Sequence, residues 1–90
     1  MKLEDIRNEI DAIDDKIAEL YVQRMNLVRE VAVVKKQEKI NLSNTAREKE
    51  IKDRVTTSMP EDMKAYGEQV FDTLFETSKA YQTSIIKEEK

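Results

Sequence analysis

Ninety residues make one small domain, spanning 1–90, and one Gly with one Pro leaves too little turn chemistry for a multi-stranded sheet. Zero Cys and zero His remove disulfides, thiolate nucleophiles, the commonest general base and the commonest metal ligands. With 16 basic and 19 acidic residues the net charge is −3, the wrong sign for a nucleic-acid footprint. Uncharged stretches fall short of the roughly 18 apolar residues that span a bilayer, and Met1-Lys2-Leu3-Glu4-Asp5 is too charged for a signal peptide. The expectation is an all-α, soluble, cytoplasmic domain with no nucleic-acid or membrane partner.

The first helix is predicted over residues 4–38. Leu3, Ile6, Ile10, Ile13, Ile17, Leu20, Leu27, Val31 and Val34 follow the alternating three- and four-residue spacing of one helix face. The position between Leu20 and Leu27 holds Arg24. Such a helix is about 50 Å long at 1.5 Å per residue, more than a compact chain of this size can cover. Ile40-Asn41-Leu42-Ser43-Asn44 breaks the period, and Asn44 or Thr45 suits an N-cap. A short helix follows over 45–57, with Arg47 or Glu48, then Ile51 and Val55, facing inward. Glu48/Lys52 and Glu50/Arg54 have the favourable i,i+4 orientation on its outer side.

Pro60 suits the first position of a third helix over 60–86, with Glu61 and Asp62 in its first turn. Met63, Gly67, Val70, Phe71, Leu74, Tyr81 and Ile85 share a side that Ser78 and Gln82 interrupt. The tail Lys87-Glu88-Glu89-Lys90 is expected to fray. A long-short-long chain whose first helix overhangs its own core is relieved by a second copy, which supplies the missing core. The predicted architecture is three helices in an obligate homodimeric helical bundle.

The polar residues on the inner faces each have an ordinary explanation. Arg24 can set register in a bundle, and Lys35, Arg47 and Glu48 can be solvated charges. Ser78 and Gln82 can bond to nearby backbone. Together they are harder to explain that way. Arg24, Lys35, Arg47, Ser78 and Gln82 come from three helices, and unpaired buried cations are costly, with only Glu48 as a local countercharge. A small, multiply anionic ligand between the helices would satisfy the set. Arg7 lies 17 residues before Arg24, about 25 Å along the axis, so one ligand cannot touch both within one chain. Two antiparallel first helices in a dimer would bring Arg7 of one copy to the site of the other.

The run Ile6-Arg7-Asn8-Glu9-Ile10-Asp11-Ala12-Ile13-Asp14, then Gln23-Arg24, Val33-Val34-Lys35, Arg47-Glu48 and Ser78 with Gln82, resembles the all-α (AroQ-type) chorismate mutases over residues 3–82. That resemblance implies an intertwined dimer with shared active sites and chorismate as substrate. It implies that Arg7 enters the partner's site, and that Arg24, Arg47 and Ser78 hold the substrate carboxylates. Lys35 and Gln82 would hydrogen-bond the ether oxygen of the breaking bond, and Glu48 would accept from the ring hydroxyl. Asn44 stands where the family often has Asp, and as an N-cap it does the same work.

The implied reaction, chorismate to prephenate in phenylalanine and tyrosine biosynthesis, is an intramolecular [3,3] rearrangement. It requires no nucleophile, proton shuttle, metal or cofactor, which suits a chain without His or Cys. An isochorismate-pyruvate lyase on the same scaffold is the nearest alternative. A non-catalytic helical dimerisation module, in which Arg24 only sets register, is the alternative from another class.

Overall fold

The computed structural model describes residues 2–88. Three helices follow in chain order: α1 over Leu3–Glu38, α2 over Thr45–Thr56 and α3 over Glu61–Glu88. At 36 residues, α1 matches the 54 Å long dimension of the molecule. It ends at Lys39, whose backbone is left-handed (φ 56°, ψ 39°). The Lys39 N–H donates to the Lys36 carbonyl and the Ile40 N–H to the Lys35 carbonyl at 2.9 Å, which is the Schellman arrangement. The chain therefore reverses immediately beyond Lys35 and Lys36. Asn44 caps α2, its Oδ1 accepting from the Arg47 N–H at 3.0 Å.

Two boundaries differ from expectation. Pro60 precedes α3 instead of opening it: its carbonyl accepts from the Met63 N–H at 2.9 Å, so it starts the ladder from outside the helix. The end of α3 does not fray at Lys87 and Glu88, which remain helical. Buried Ile85 anchors that last turn, and the Ile86 carbonyl accepts from Lys36 Nζ at 3.5 Å. The expectation for Glu89 and Lys90 falls outside the described residues.

α3 is the common support. Tyr21 donates its hydroxyl to Thr77 Oγ1, and Lys36 reaches Ile86, so α1 and α3 run in the same direction. α2 returns antiparallel, with Glu48 paired to Lys79 and Lys52 to Asp72. Glu48 and Lys52 thus turn across to α3 rather than pairing with each other. Asp72 raises the Lys52 pKa above its ordinary 10.5, first through their hydrogen bond and also through its charge. Arg47 pairs with Glu50 at 2.6 Å. Gly67 lets Met59, in the α2–α3 turn, lie against α3: a Cβ there would sit 2.5 Å from the thioether sulfur.

The core within one chain is small. Among the described residues the buried set is Ala32, Phe75 and Ile85 together with Thr56, Ser78 and Gln82. Half of it is polar. The long apolar stripe of α1 does not join this core. Its nine apolar members, from Leu3 to Val34, are 39–62% exposed, and every residue from Lys2 to Leu20 is exposed. α1 instead meets α3 along a second, adjoining face that includes Tyr21, Met25, Val28 and Ala32. Met63, Tyr66 and Val70 of α3 are also open.

The extended shape has a measurable size. The radius of gyration is 16.3 Å, against about 12 Å for a compact domain of this length. The accessible surface is 7287 Å², against about 5,400 Å² for a folded monomer of this mass. The difference, about 1,900 Å², is on the scale that one subunit contributes to a large obligate interface. The architecture is all-α, long-short-long, with an extended shape consistent with an intertwined dimer.

Candidate active site

One cleft of about 190 Å³ opens where the C-terminal half of α1, the start of α2 and the C-terminal half of α3 converge. Each element delivers its polar residues for a local reason. Arg24 and Lys35 are eleven residues apart, about three helical turns, and so share a face of α1. Asn44 caps α2 and sets Arg47 and Glu48 in its first turn, where backbone N–H groups have no partner within the helix. Ser78 and Gln82, one turn apart, point from α3 into the same space.

Seven of the eight expected site residues line this cleft: Arg24, Lys35, Asn44, Arg47, Glu48, Ser78 and Gln82. Arg7 does not. It is exposed on the uncovered N-terminal arm of α1 and remains without a place in the site of its own chain. Between Arg47 and Glu48, the choice left open by periodicity, the more enclosed residue is Glu48. Arg47 borders the cleft while its guanidinium is engaged by Glu50.

Of the four lining cations, Arg24 and Lys35 are held by neutral groups. Arg24 Nη1 donates to Ser78 Oγ at 2.5 Å, and the Ser78 hydroxyl donates in turn to the Leu74 carbonyl at 2.7 Å. Lys35 Nζ donates to the Leu42 carbonyl at 3.1 Å, across the reversal that follows α1. Carbonyl and hydroxyl oxygens orient these side chains without cancelling their charge. The one carboxylate in the lining, Glu48, is already paired with Lys79 Nζ at 3.2 Å. The cleft therefore keeps an excess of positive charge although the whole chain is net negative. Gln82 is 5% exposed, and its Oε1 has no hydrogen-bond partner. A buried amide left partly unsatisfied is a reason to look for a ligand.

On α3, Lys79 and Phe75 are the lining residues that the sequence reading does not single out. Their signal is present in the spacing. Phe75 precedes Lys79 by four residues and Gln82 follows it by three, so all three share a helix face with Ser78 at its edge. Apolar walls come from Val28, Val31, Leu42 and Ile51 as well as Phe75. An apolar box with a few convergent polar groups is the usual make-up of a small-molecule site.

Two parallel helices and one returning helix thus enclose a cationic cleft with apolar walls. The family model described as chorismate mutase type II matches residues 6–83. A chorismate mutase of Methanocaldococcus jannaschii is 37% identical over 89 residues, which cover 97% of this chain and 90% of that protein. No solved structure matches. The chain belongs to the type II, all-α chorismate mutase family. These enzymes are isomerases of aromatic amino-acid biosynthesis.

Proposed function

We propose that the cleft holds chorismate and converts it to prephenate, and that two copies of the chain build each complete site. The observation that carries the reading is the convergence of Lys35 and Gln82 with Arg24, Arg47 and Ser78 on one cleft. Arg24, aimed by Ser78, and Arg47, released from its exposed pair with Glu50, hold the two carboxylates. Lys35 and the Gln82 amide donate to the ether oxygen. Glu48 accepts from the ring hydroxyl, and Asn44 presents the start of α2 through its cap. Arg7 of the partner subunit closes the site, which explains why it finds no function within its own chain.

The chemistry asks two things of these groups. The enolpyruvyl side chain must be held over the ring in a chair-like conformer, so that the terminal carbon forms its new bond as the C–O bond breaks. Fixed carboxylate ligands and apolar walls achieve this by proximity. Negative charge grows on the ether oxygen as that bond lengthens. Donors fixed on separate helices stabilise it without reorganising, each contributing about 3–4 kcal/mol. No proton is transferred and no covalent intermediate forms.

The exposed stripe of α1 and the surplus surface support the homodimer. Chorismate is an intermediate of aromatic amino-acid synthesis, which makes the cytoplasm the expected compartment. Loss of chorismate absorbance on adding the purified protein, with prephenate as the product, is the expected result. Pyruvate and salicylate from isochorismate, with chorismate untouched, would replace this reading with the lyase.

A further inference from the structure

Lys79 is the one cation in the cleft lining that the reaction as described leaves without a task. It sits immediately after Ser78 on α3 and reaches Glu48 on α2, with Nζ 3.2 Å from Oε2. This pair crosses between two helices and is largely enclosed, the side chains being 36% and 25% exposed. It differs from the exposed pairs within α2, such as Lys49–Asp53, whose side chains are 77% and 67% exposed.

We propose that Lys79 is a positioning residue for Glu48: it fixes the carboxylate at the cleft wall in the orientation that receives the ring hydroxyl. The inference rests on the reading of Glu48 as the hydroxyl acceptor. A carboxylate has about four acceptor positions, so one ammonium leaves room for a substrate hydroxyl. The pair has a second effect. Without Lys79, an ionised Glu48 would stand opposed only by the cations that the dianionic substrate needs. Arg24 and Lys35 would then be drawn toward Glu48 instead of the substrate. Lys79 occupies Glu48 and leaves them available.

The ordinary alternative is a strut that merely fastens α2 to α3. The fold contains its own control for that role. Lys52–Asp72 joins the same two helices, at 3.0 Å, and neither residue lines the cleft. If both pairs are struts, Lys52→Met and Lys79→Met should lower thermal stability alike and leave the kinetics of the folded enzyme unchanged.

The test is steady-state turnover of chorismate by wild type, Lys52→Met, Lys79→Met, Lys79→Arg, Glu48→Gln and the Glu48→Gln/Lys79→Met double variant. Folding of each is checked by circular dichroism. The ring hydroxyl is bound in both ground and transition states, so the loss should fall mainly on KM. Lys79→Met is expected to raise KM about tenfold, the scale of a weakened hydrogen bond to a charged group. Lys79→Arg should restore most of the loss, and Lys52→Met should match wild type. In the Glu48→Gln background, Lys79→Met should have little further effect. Equal kinetics for Lys79→Met and wild type would overturn the proposal while leaving the mutase reading intact. A full Lys79 effect persisting without Glu48 would overturn it too, because Lys79 would then touch the substrate directly. A wild type that consumes no chorismate would instead overturn the underlying reading.

Discussion

Arg24 on α1 and Ser78 on α3, 54 positions apart in the chain, are joined by a 2.5 Å hydrogen bond from guanidinium to hydroxyl. Ser78 is 6% exposed and donates in turn to the Leu74 carbonyl, so the serine cannot rotate away without breaking two bonds. A long, flexible arginine is thereby held at the mouth of the cleft before any ligand arrives. That preorganisation makes the position of the guanidinium a property of the α1–α3 contact.

Ser78→Ala should therefore act through Arg24. The guanidinium keeps its charge but loses its anchor, and the expected result is roughly a tenfold fall in kcat/KM. The cost in stability is about 1–2 kcal/mol, typical of a part-buried hydrogen bond to a charged group. Arg24→Ala should cost more in activity than Ser78→Ala, and the double variant no more than Arg24→Ala. Additive losses would show that the two residues act independently.

Gln82 provides a pH test. A primary amide does not titrate, so its donation to the ether oxygen is the same at about pH 5 and pH 9. Gln82→Glu puts a carboxyl of ordinary pKa about 4.3 at a site only 5% exposed. Burial disfavours the ionised form and raises that pKa, while the cleft cations oppose the shift until the dianionic substrate engages them. Only the protonated acid donates a hydrogen bond. The variant should work in acid and lose activity as pH rises through its midpoint, where the carboxylate also repels the growing oxyanion charge. A variant as active at pH 8 as its parent would remove Gln82 from the mechanism.

The N-terminal arm of α1, exposed from Lys2 to Leu20, predicts an obligate dimer. Its unfolding midpoint should rise with protein concentration, and sedimentation should show no folded, active monomer. Shared sites have a sharper consequence. Arg7→Ala and Lys35→Ala should each be nearly inactive, the second losing about 10²- to 10³-fold in kcat. Mixed and allowed to exchange subunits, they should recover about a quarter of wild-type sites, because half the dimers are mixed and each has one intact site. No recovery after verified exchange would confine Arg7 to its own chain.

Lys39 carries backbone strain that glycine would relieve. Its φ of 56° lies in the left-handed region, which costs a residue with a Cβ about 1–2 kcal/mol. Glycine also gives up more freedom on folding, which offsets about half of that gain. Lys39→Gly should stabilise the fold by about 0.5–1 kcal/mol, read as a rise of a few degrees in Tm at matched concentration. Turnover should be unchanged, since Lys39 is not part of the cleft lining. A lower Tm would show that the lysine side chain contributes more than its backbone strain costs.

Much of this protein is legible in one dimension because helix formation is local. The spacing of apolar residues places α1 and α3 to within a few positions, and Asn44 announces α2 through a cap that is a short-range hydrogen bond. The polar residues that break the stripes, Arg24, Ser78 and Gln82, stand out for the same reason: each occupies a position where burial disfavours it. What periodicity does not decide is which of two adjoining faces of α1 its own chain covers. That depends on how α3 packs, and α3 takes the face of Tyr21, Val28 and Ala32, leaving the Leu3–Val34 stripe open. Lys79 shows the same limit. Its spacing puts it on the helix face of Phe75 and Gln82, but only the antiparallel return of α2 brings Glu48 within 3.2 Å of it. Pairings between residues far apart in the chain follow from the relative placement of whole helices, which is set by packing over their full length rather than by local sequence.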